Sequence, residues 1–424
     1  MKLITNAPRG TSDILPSETY KWQYVEKLLR KISTNFNFKE IRFPTFEHSE
    51  LFNRAVGDET DVVQKEMYTF FDKGDRSISL RPEGTASSMR SILQNGLYGN
   101  ALPIKVYYLI NCFRYEKPQA GRFREFHQFG IEVYGTEKIT ADVEIISFAQ
   151  SIFDTIGLEG ITLEINSIGC KECRADYHKA LKIYFEKYSD KLCNTCLDRL
   201  VKNPMRILDC KCPTCKEIAI SAPKITDYLC ENCNADFEKA KEYLKTLNIK
   251  FTVNPSIVRG LDYYNGLVFE FISSDIGAQG TVAGGGRYNG LSKELSDIEI
   301  SGLGFAMGLE RLILLMEKQN KFTTPDKSPT IFIASLNDKY LEYALLLTSK
   351  LRKCNISAEC DINDRTLKAQ MKYANKIGAE YVVVIGDNEV ESGIADIKNM
   401  NTGEVKKFKL ENLEVFLSNT TLKI

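Results

Sequence analysis

Histidine is scarce in this chain of 424 residues, which contains only His48, His127 and His178. Enzymes that rely on histidine as a general base or as a metal ligand therefore have little material here, and a hydroxyl-nucleophile triad is disfavoured. Lys and Arg together number 56, as do Asp and Glu, so the formal net charge is zero. A nucleic-acid partner would therefore have to bind to a local basic patch, because the protein as a whole carries no net positive charge.

Long apolar runs are also missing. Because no stretch of about 18 uninterrupted apolar residues occurs, no membrane span is expected. Residues 1–12 contain no long apolar run, which predicts that there is no signal peptide and that the protein is cytoplasmic. Hydrophobic residues make up 43% of the chain and charged residues 26%, values typical of globular proteins. The length allows two or three domains.

Two glycine-rich stretches do not match the standard nucleotide-binding motifs. In residues 284–290 and in residues 302–308, the third glycine comes one position too late for G-x-G-x-x-G. No G-x-x-x-x-G-K-[ST] occurs either. A nucleotide would therefore be bound without a Walker loop, although glycines in a strand let a flat ligand approach the backbone closely.

The beginning of the chain alternates helix and strand signals. Apolar residues at helical spacing predict a helix over residues 17–33, with Ser17 as its N-cap. Residues 39–46 predict a short strand that ends near Pro44.

Further along, composition divides the chain into two domains. Residues 168–255 are rich in Lys and Cys and mostly helical in pattern, so we interpret them as a helical insertion that interrupts a first domain of residues 1–325. Residues 329–424 alternate strand and helix signals, which predicts a small α/β domain with a mostly parallel sheet.

An arginine-bearing hairpin is predicted from residues 105–116 and 125–134. Because side chains alternate between the two faces of a strand, Arg114, Gln128 and Glu132 are expected on one face, with Gly130 leaving room above the sheet. The other face, which includes Tyr115 and a structural His127, is expected to be core. Arg122 and Arg124 at the loop end are expected to close over a polyphosphate. The alternative is a solvated, salt-bridged face, which is common and contributes little.

Nine of the twelve cysteines lie between positions 170 and 233. Eight of them form four C-x-x-C pairs: Cys170/Cys173, Cys193/Cys196, Cys212/Cys215 and Cys230/Cys233. The spacing between pairs is typical of zinc ribbons, so we expect structural zinc in the insertion, held by two sites whose pairing the sequence leaves open. Reduced thiols without metal are the alternative. No catalytic metal is expected here, because four thiolates leave no open coordination position.

Three arginine-bearing segments predict one pocket that gathers negative charge: residues 113–124, residues 259–264 (RGLDYY) and residues 302–311. Together with residues 7–13, 40–47 and 283–288, they resemble the signature motifs of the histidyl-tRNA synthetase family of class II aminoacyl-tRNA synthetases. The resemblance covers nearly the whole chain. It implies an α+β catalytic domain with an antiparallel sheet flanked by helices, interrupted by the Cys-rich insertion, and a C-terminal α/β anticodon-binding domain.

The resemblance also implies a reaction and its partners. ATP, with Mg²⁺, activates L-histidine as histidyl-adenylate, and tRNA(His) then accepts the histidyl group. The segment at residues 40–47 resembles the motif that builds a homodimer interface in this family. The extra cysteines depart from many family members, so a zinc ion there would serve as scaffolding.

Site residues follow from the same resemblance. Histidine is expected to bind to Glu83, Gly84, Thr85, Gln128, Glu132, Tyr263, Tyr264 and Tyr288. ATP is expected to bind to Arg114, Glu116, Arg122, Phe126 and Arg311. Arg259 and Arg114 are the expected catalytic residues, since Arg259 would bridge the histidine carboxylate and the α-phosphate that Arg114 holds.

Two other functions compete with this one. An inactive paralogue of the catalytic domain would act as a regulatory subunit of ATP phosphoribosyltransferase, but such proteins usually lack a C-terminal module. A plain RNA- or zinc-binding scaffold would explain the cysteines and leave the three arginine segments unexplained.

Overall fold

A computed structural model describes residues 5–57, 60, 62–257, 263–276, 280–323 and 329–421. The chain forms two compact units, Met1–Thr323 and Thr324–Ile424. In the described ranges, no helix has the length and apolar character needed to span a bilayer.

The first unit contains eleven strands in its described residues. In chain order they are β1 (Lys39–Glu40), β2 (Phe46–His48), β3 (Thr69–Phe71), β4 (Ser77–Leu80), β5 (Ile104–Phe113), β6 (Glu125–Tyr134), β7 (Ile161–Ser167), β8 (Phe251–Val253), β9 (Asn265–Ser273), β10 (Thr281–Arg287) and β11 (Gly302–Gly308). Its helices are α1 (Thr19–Asn35), α2 (Ser49–Val56), α3 (Thr85–Gln94), α4 (Ile139–Ile156), α5 (Lys171–Glu186), α6 (Asn194–Lys202), α7 (Pro213–Ile220), α8 (Glu231–Thr246), α9 (Leu291–Leu295) and α10 (Leu309–Lys318).

Eight of these strands form one sheet in the order β1-β5-β6-β11-β10-β9-β7-β8, and β2, β4 and β3 form a small second sheet. The two edge pairings of the large sheet are parallel, and the pairings between them are antiparallel. The predicted hairpin is present as β5 and β6, with Val106 opposite Glu132 and Tyr108 opposite Gly130. The expected mixed architecture of an antiparallel sheet with flanking helices is therefore confirmed.

Apolar side chains fill one face of the large sheet. Phe129 and Ile131 of β6 pack there with α1, α4, α8 and α10. Fully burying a side chain such as Phe148 of α4 stabilises the fold by roughly 1.5–3 kcal/mol. Because Gln128 and Glu132 alternate with these core residues, they face the other side of the sheet, where the polar side chains collect.

The Cys-rich insertion follows β7 and is helical, as expected, with α5 to α8 as its helices. Buried apolar residues of α5, among them Tyr177, Leu181 and Phe185, belong to one cluster with Phe52 of α2 and Met89 of α3. The last insertion helix, α8, packs against α4 through Phe237, Ala240 and Leu244.

The second unit has a five-stranded sheet in the order β13-β12-β14-β15-β16. Its elements are β12 (Ile331–Ser335), α11 (Leu341–Lys353), β13 (Ala358–Cys360), α12 (Leu367–Lys376), β14 (Tyr381–Ile385), α13 (Asp387–Ser392), β15 (Ile394–Asn399), β16 (Val405–Lys409) and α14 (Leu413–Thr421). The pairings of β12 with β13 and β14 are parallel, as predicted. The pairings of β15 are antiparallel, so the expectation of a mostly parallel sheet missed this terminal hairpin.

Three local expectations were wrong. Ser17 does not cap α1, because the preceding turn supplies Leu15 O to the backbone N–H groups of Glu18 and Thr19. The strand predicted for residues 39–46 is split, since Pro44 has no N–H to donate, and its halves β1 and β2 join different sheets. Tyr115 is 55% exposed and not core, because β5 ends at Phe113 and the alternation of faces ends with it.

Candidate active site

A cavity of about 290 Å³ lies on the polar face of the large sheet, entirely within the first unit. That volume is close to the lower end of the usual range for small-molecule sites. Its walls come from segments far apart in sequence: the turn before α3, the ends of the β5–β6 hairpin, the start of β9, and β10 and β11 with the first turn of α10. Three of the predicted arginine-bearing segments therefore contribute to one cleft through Arg114, Tyr263 and Arg311.

Backbone carbonyls hold the cationic end of this cavity in place. Arg114 directly follows β5, donates from Nε to Pro82 O at 2.8 Å, and lies over the Phe126 ring at 5.4 Å from its centroid. Arg311 lies in the first turn of α10 and donates from Nη1 to Thr281 O at 2.7 Å. Both guanidiniums line the cavity.

A third guanidinium, that of Arg122, lines the same end and forms an ion pair with Glu116. Burial lowers the pKa of Arg122 below its usual value, and the nearby positive charges of Arg311 and Arg114 lower it further. The pKa of Arg311 is lowered in the same way, first by burial and then by Arg114. Guanidiniums that repel one another across a cleft are arranged to receive a multiply charged anion, which relieves that repulsion.

The opposite end of the cavity is built around the carboxylate of Glu132, which is 1% exposed. Thr85 Oγ1 and Tyr108 OH donate hydrogen bonds to it at 2.8 and 2.9 Å, and Tyr288 OH donates a further one. Burial raises the pKa of Glu132 to about 8, against the lowering effect of these three donors. Every donor is itself buried, so the network is fixed before any ligand enters.

Glycines make room for this network. A Cβ added to Gly304 of β11 would lie 1.9 Å from Glu132 Oε2, and one added to Gly302 would lie 2.3 Å from the Tyr288 ring. Gly302 and Gly304 therefore make room for side chains of the protein itself. The sequence had instead suggested that these glycines leave the backbone bare for a flat ligand. Gly308 faces the cavity, with Arg311 Cδ as the nearest atom to its added Cβ at 4.0 Å.

The turn before α3 carries another buried acid. Glu83 accepts hydrogen bonds from the backbone N–H groups of Thr85 and Ala86 at 2.7 and 2.8 Å, which satisfies free donors at the helix start. Burial raises the pKa of Glu83. The backbone N–H of Gly84 donates to Gln128 Oε1 at 3.2 Å and so ties the turn to β6.

Three tyrosines complete this end. The rings of Tyr263 and Tyr264 line the cavity, and Tyr288 lies behind them with ring centroids 5.6 and 6.3 Å away. The phenols of Tyr263 and Tyr288 lie near Glu132, so this end combines hydrogen-bonding groups with apolar ring surface.

Most of the residues predicted for the site come together. The cavity wall includes Glu83, Thr85, Arg114, Glu116, Arg122, Phe126, Gln128, Tyr263, Tyr264 and Arg311. Gly84, Glu132 and Tyr288 lie directly behind that wall. Arg259 lies outside the described residues.

Two expectations about this region were wrong. Arg124 does not line the cavity, because its guanidinium lies 3.7 Å from the Tyr115 ring centroid and its Nε donates to Glu116 O. The space above Gly130 is not left for a ligand, since the Tyr108 ring fills it and an added Cβ would lie 2.3 Å from that ring. His127 does not line the cavity: its ring lies against Trp22, and its Nδ1 is 2.9 Å from Glu310 Oε1.

Sequence reasoning missed two side chains of the site. Tyr108 holds Glu132 and fills the space beside Gly84 and Gly130. The sequence could have indicated the position of Tyr108, because it lies opposite Gly130 in the predicted hairpin and large aromatic rings often cover a glycine on the neighbouring strand. Glu310 adds a carboxylate to the cavity wall. Its position next to Arg311 in the sequence did not indicate that it would line the cavity.

Eight of the twelve cysteines form two groups of four, and within each group the ligand atoms lie within 4.8 Å of one another. The first, here called the junction cluster, consists of Cys170, Cys173, Cys230 and Cys233. The second, here called the inner cluster, consists of Cys193, Cys196, Cys210 and Cys215. Cys210 therefore takes the place expected for Cys212, whose side chain is not in the group; the backbone N–H of Cys212 instead donates to Cys210 Sγ at 3.4 Å.

Comparison with known proteins places these features in a family. A family model described as histidyl-tRNA synthetase matches residues 10–172 and 218–312, and one described as an anticodon binding domain matches residues 330–420. The unmatched stretch between the two parts of the first model contains the whole inner cluster.

Individual relatives match along nearly their full lengths. The histidine–tRNA ligase of Acetivibrio thermocellus is 53% identical over 411 residues, which are 97% of this chain and 99% of that protein. That of Caldanaerobacter subterraneus subsp. tengcongensis is 48% identical over 417 residues, which are 98% of this chain and 100% of that protein. Among solved structures, apo Staphylococcus aureus histidyl-tRNA synthetase matches with a TM-score of 0.83 at 40% identity, over 98% of this chain and 100% of that one.

Proposed function

The chain belongs to the histidyl-tRNA synthetase family, and on that premise we propose how its cavity carries out the ATP-dependent ligation of L-histidine to tRNA(His). A histidine carboxylate oxygen attacks the α-phosphorus of ATP, and pyrophosphate leaves. The terminal ribose hydroxyl of the tRNA then attacks the carbonyl carbon of histidyl-adenylate, and AMP leaves. The observation that carries the proposal is the single cleft that joins arginines at one end to a buried hydrogen-bonding network at the other.

The arginine end of the cavity neutralises the negative charge of the reactants. Both reactants of the first step are anions, so their approach requires fixed positive charge. Arg114 holds the α-phosphate and Arg311 the γ-phosphate, and the backbone carbonyls that orient both guanidiniums keep them directed at the cavity. A positioned donor of this kind lowers a barrier by about 3–4 kcal/mol.

Adenine binds beside these arginines. Phe126 offers a ring for stacking, and Glu116 reads the edge of the base. Arg114 lies over the Phe126 ring, and Arg122 pairs with Glu116. The nucleotide therefore replaces interactions that the protein already makes, which leaves Arg122 to contact the phosphates.

Histidine occupies the buried end. Glu83, Thr85 and Gln128 supply acceptor atoms for the α-ammonium group, with Gly84 positioning Gln128. Glu132 and Tyr264 bind the imidazole nitrogens, and Tyr263 and Tyr288 line the space around the ring. A site built to hydrogen-bond its substrate rejects analogues that lack the matching groups by roughly 10⁴ or more.

Two further contributions complete the first step. Arg259, in the RGLDYY segment, bridges the histidine carboxylate and the α-phosphate; its forked, permanently charged guanidinium suits that task better than a lysine. Members of this family use Mg²⁺ with ATP. Mg²⁺ is usually bound by one or two carboxylates together with substrate phosphates, and Glu310 is the carboxylate at the phosphate end that fits this. When bound, the ion neutralises phosphate charge.

The tRNA contacts the second unit, whose α12 carries the exposed lysines Lys368, Lys372 and Lys376 four residues apart. Two copies of the chain pair through the segment at residues 40–47, where the Phe46 side chain is 57% exposed on β2. Both cysteine clusters bind structural Zn²⁺.

Pyrophosphate exchange tests the proposal. We expect histidine-dependent exchange of labelled pyrophosphate into ATP without tRNA, and we expect Arg259→Ala to abolish it while tRNA affinity stays nearly intact. Exchange by that variant above a tenth of the wild-type rate would refute the role of Arg259. Histidine binding without exchange in the wild type would instead favour the regulatory-subunit function, and neither binding nor exchange would favour a scaffold.

A further inference from the structure

The two cysteine clusters have the dimensions of tetrahedral zinc sites. A Zn–S distance of about 2.3 Å places two thiolates of one tetrahedron roughly 3.8 Å apart. Cys170 Sγ and Cys173 Sγ are 3.5 Å apart, and Cys193 Sγ and Cys210 Sγ are 3.9 Å apart. A disulfide would require about 2.05 Å, and all twelve cysteines are free thiols. In each cluster one pair of sulfur atoms therefore has a separation close to that of a tetrahedral zinc site, and all four sulfur atoms lie within 4.8 Å of one another.

Backbone N–H groups support the sulfur atoms in both clusters. Cys230 N donates to Cys173 Sγ at 3.1 Å, and Cys193 N donates to Cys215 Sγ at 3.3 Å. Such bonds to a ligating sulfur orient it and stabilise its charge, as outer contacts of metal sites do.

The clusters differ in what they join. All four thiols of the inner cluster come from residues 193–215, so an ion there closes one segment of the insertion on itself. The junction cluster takes Cys170 and Cys173 from the start of α5 and Cys230 and Cys233 from the start of α8. An ion in the junction cluster would therefore fasten the entrance of the insertion to its exit.

The junction cluster also borders the strand that leads out of the tyrosine segment. Ile168 N donates to Gly266 O at 2.8 Å, and Gly266 N donates to Gly169 O at 3.0 Å. Gly169 in turn lies against the cluster, since a Cβ added to it would be 2.5 Å from Cys173 Cβ. The backbone of β9 next to the cavity is therefore held by the two residues that precede Cys170.

One side chain extends this connection to the cavity itself. Arg174, which lies one residue after Cys173 on α5, donates from Nη1 to Tyr264 O at 3.2 Å. Tyr264 is 6% exposed and lines the cavity. A cavity of about 470 Å³, lined in part by Cys170, Cys233, Arg174 and Gly266, lies between the cluster and the sheet.

We propose that Zn²⁺ in the junction cluster positions Tyr264 for histidine binding, whereas Zn²⁺ in the inner cluster stabilises the insertion alone. This inference rests on the proposed function for the identity of the ligand. Loss of the junction ion frees the start of α5, and with it Gly169 and Arg174, so the Tyr264 backbone loses its support. Arg174 and the junction cysteines are thus positioning residues, because none of them is proposed to contact histidine.

Matched variants separate the two clusters. Cys233→Ser and Cys210→Ser each remove one half-buried thiol, and the full-length protein is used throughout. We expect two zinc ions per wild-type chain and one in each variant. Calorimetry should give a histidine dissociation constant at least tenfold higher for Cys233→Ser than for Cys210→Ser, while the two ATP constants agree within twofold.

Arg174→Met tests the link without touching a thiol. The variant should retain two zinc ions per chain, bind histidine at least fivefold more weakly, and bind ATP within twofold of wild type. A general loss of structure would weaken the binding of both substrates and not of histidine alone. Equal histidine affinities in the two cysteine variants, or fewer than about one zinc per wild-type chain, would overturn the inference. If Cys233→Ser fails to fold, unchanged histidine affinity in Arg174→Met overturns it. A wild-type chain that binds no histidine refutes the proposed function itself.

Discussion

The two ends of the cavity are built on different principles. At the arginine end, Arg114, Arg122 and Arg311 are partly exposed, and each is held by a few contacts to carbonyls, a ring or a carboxylate. At the other end, Glu132 and Tyr288 are 1% exposed and belong to a closed hydrogen-bonding network. The comparison teaches that charge can be cancelled by partly exposed side chains with a few contacts each, whereas discrimination of a small polar ligand needs a closed network of buried donors and acceptors.

The largest expected effect comes from breaking the arginine end alone. Arg114→Ala removes a positioned charge from the α-phosphate, so the exchange rate should fall by about 10²–10³, equivalent to about 3–4 kcal/mol of barrier. Histidine affinity, which belongs to the other end, should change little. Arg114→Lys keeps the charge but loses the forked donors of the guanidinium. Its exchange rate should therefore lie between those of the wild type and Arg114→Ala. A variant Arg114→Ala that exchanges at more than a tenth of the wild-type rate would contradict the division between the ends.

A smaller effect is expected from disturbing the buried end through Gly304. In Gly304→Ala the new Cβ would lie 1.9 Å from Glu132 Oε2 and 2.3 Å from Ile131 O, so both the carboxylate and the strand must shift. We expect a loss of stability of about 1–3 kcal/mol and a rise of roughly tenfold in the KM for histidine.

Gly308→Ala is the matched control on the same strand. Its added Cβ meets nothing closer than Arg311 Cδ at 4.0 Å, so the stability should change by about 0.5 kcal/mol or less. Equal melting temperatures for the two variants would contradict the crowding described at Gly304.

The remaining expected effect is a pH dependence of stability. Burial raises the pKa of Glu132 to about 8 from its usual value of 4.5, so between these pH values the folded state holds a proton that the unfolded state has released. The free energy of unfolding therefore falls as pH rises through this window, by at most about 1.4 kcal/mol per pH unit, and is independent of this group above it.

Glu132→Gln removes that proton and keeps the shape. The melting temperature of the variant, relative to wild type, should rise from pH 6 to pH 8 and level off by pH 9. A relative melting temperature that does not vary with pH would show that Glu132 titrates normally.

Part of the site could be predicted from strand alternation, which is a strong local rule, and most of the remaining site residues were predicted from the family resemblance. Parity alone placed Gln128 and Glu132 on one face, and the register of Val106 with Glu132 agrees with it. Parity fails where a strand ends, which is why Tyr115 was misplaced. The expected domain limits, 1–325 with an insertion at 168–255 and then 329–424, remain predictions beside the two units of the structure.

Other features depend on distances that no local pattern encodes. Spacing favoured Cys212, which forms a C-x-x-C pair with Cys215. Only the path of the chain into α7, where Cys212 is the N-cap, brings Cys210 into the group in its place. The glycines at 302 and 304 indicated close packing, but the sequence did not tell whether a ligand or a side chain lies against them. The answer depends on the positions of the Glu132 and Tyr288 side chains, which lie against Gly304 and Gly302 of β11.

Tyr108 has a consequence for how fast a ligand enters. Its ring is wedged between the backbones of Gly84 and Gly130, where an added Cβ on either glycine would lie 2.4 Å or less from it. The ring thus acts as a spacer that keeps the turn before α3 apart from the sheet. Because this spacer is rigid, we expect an incoming amino acid to meet preformed walls, so that encounter and desolvation set the rate of its binding.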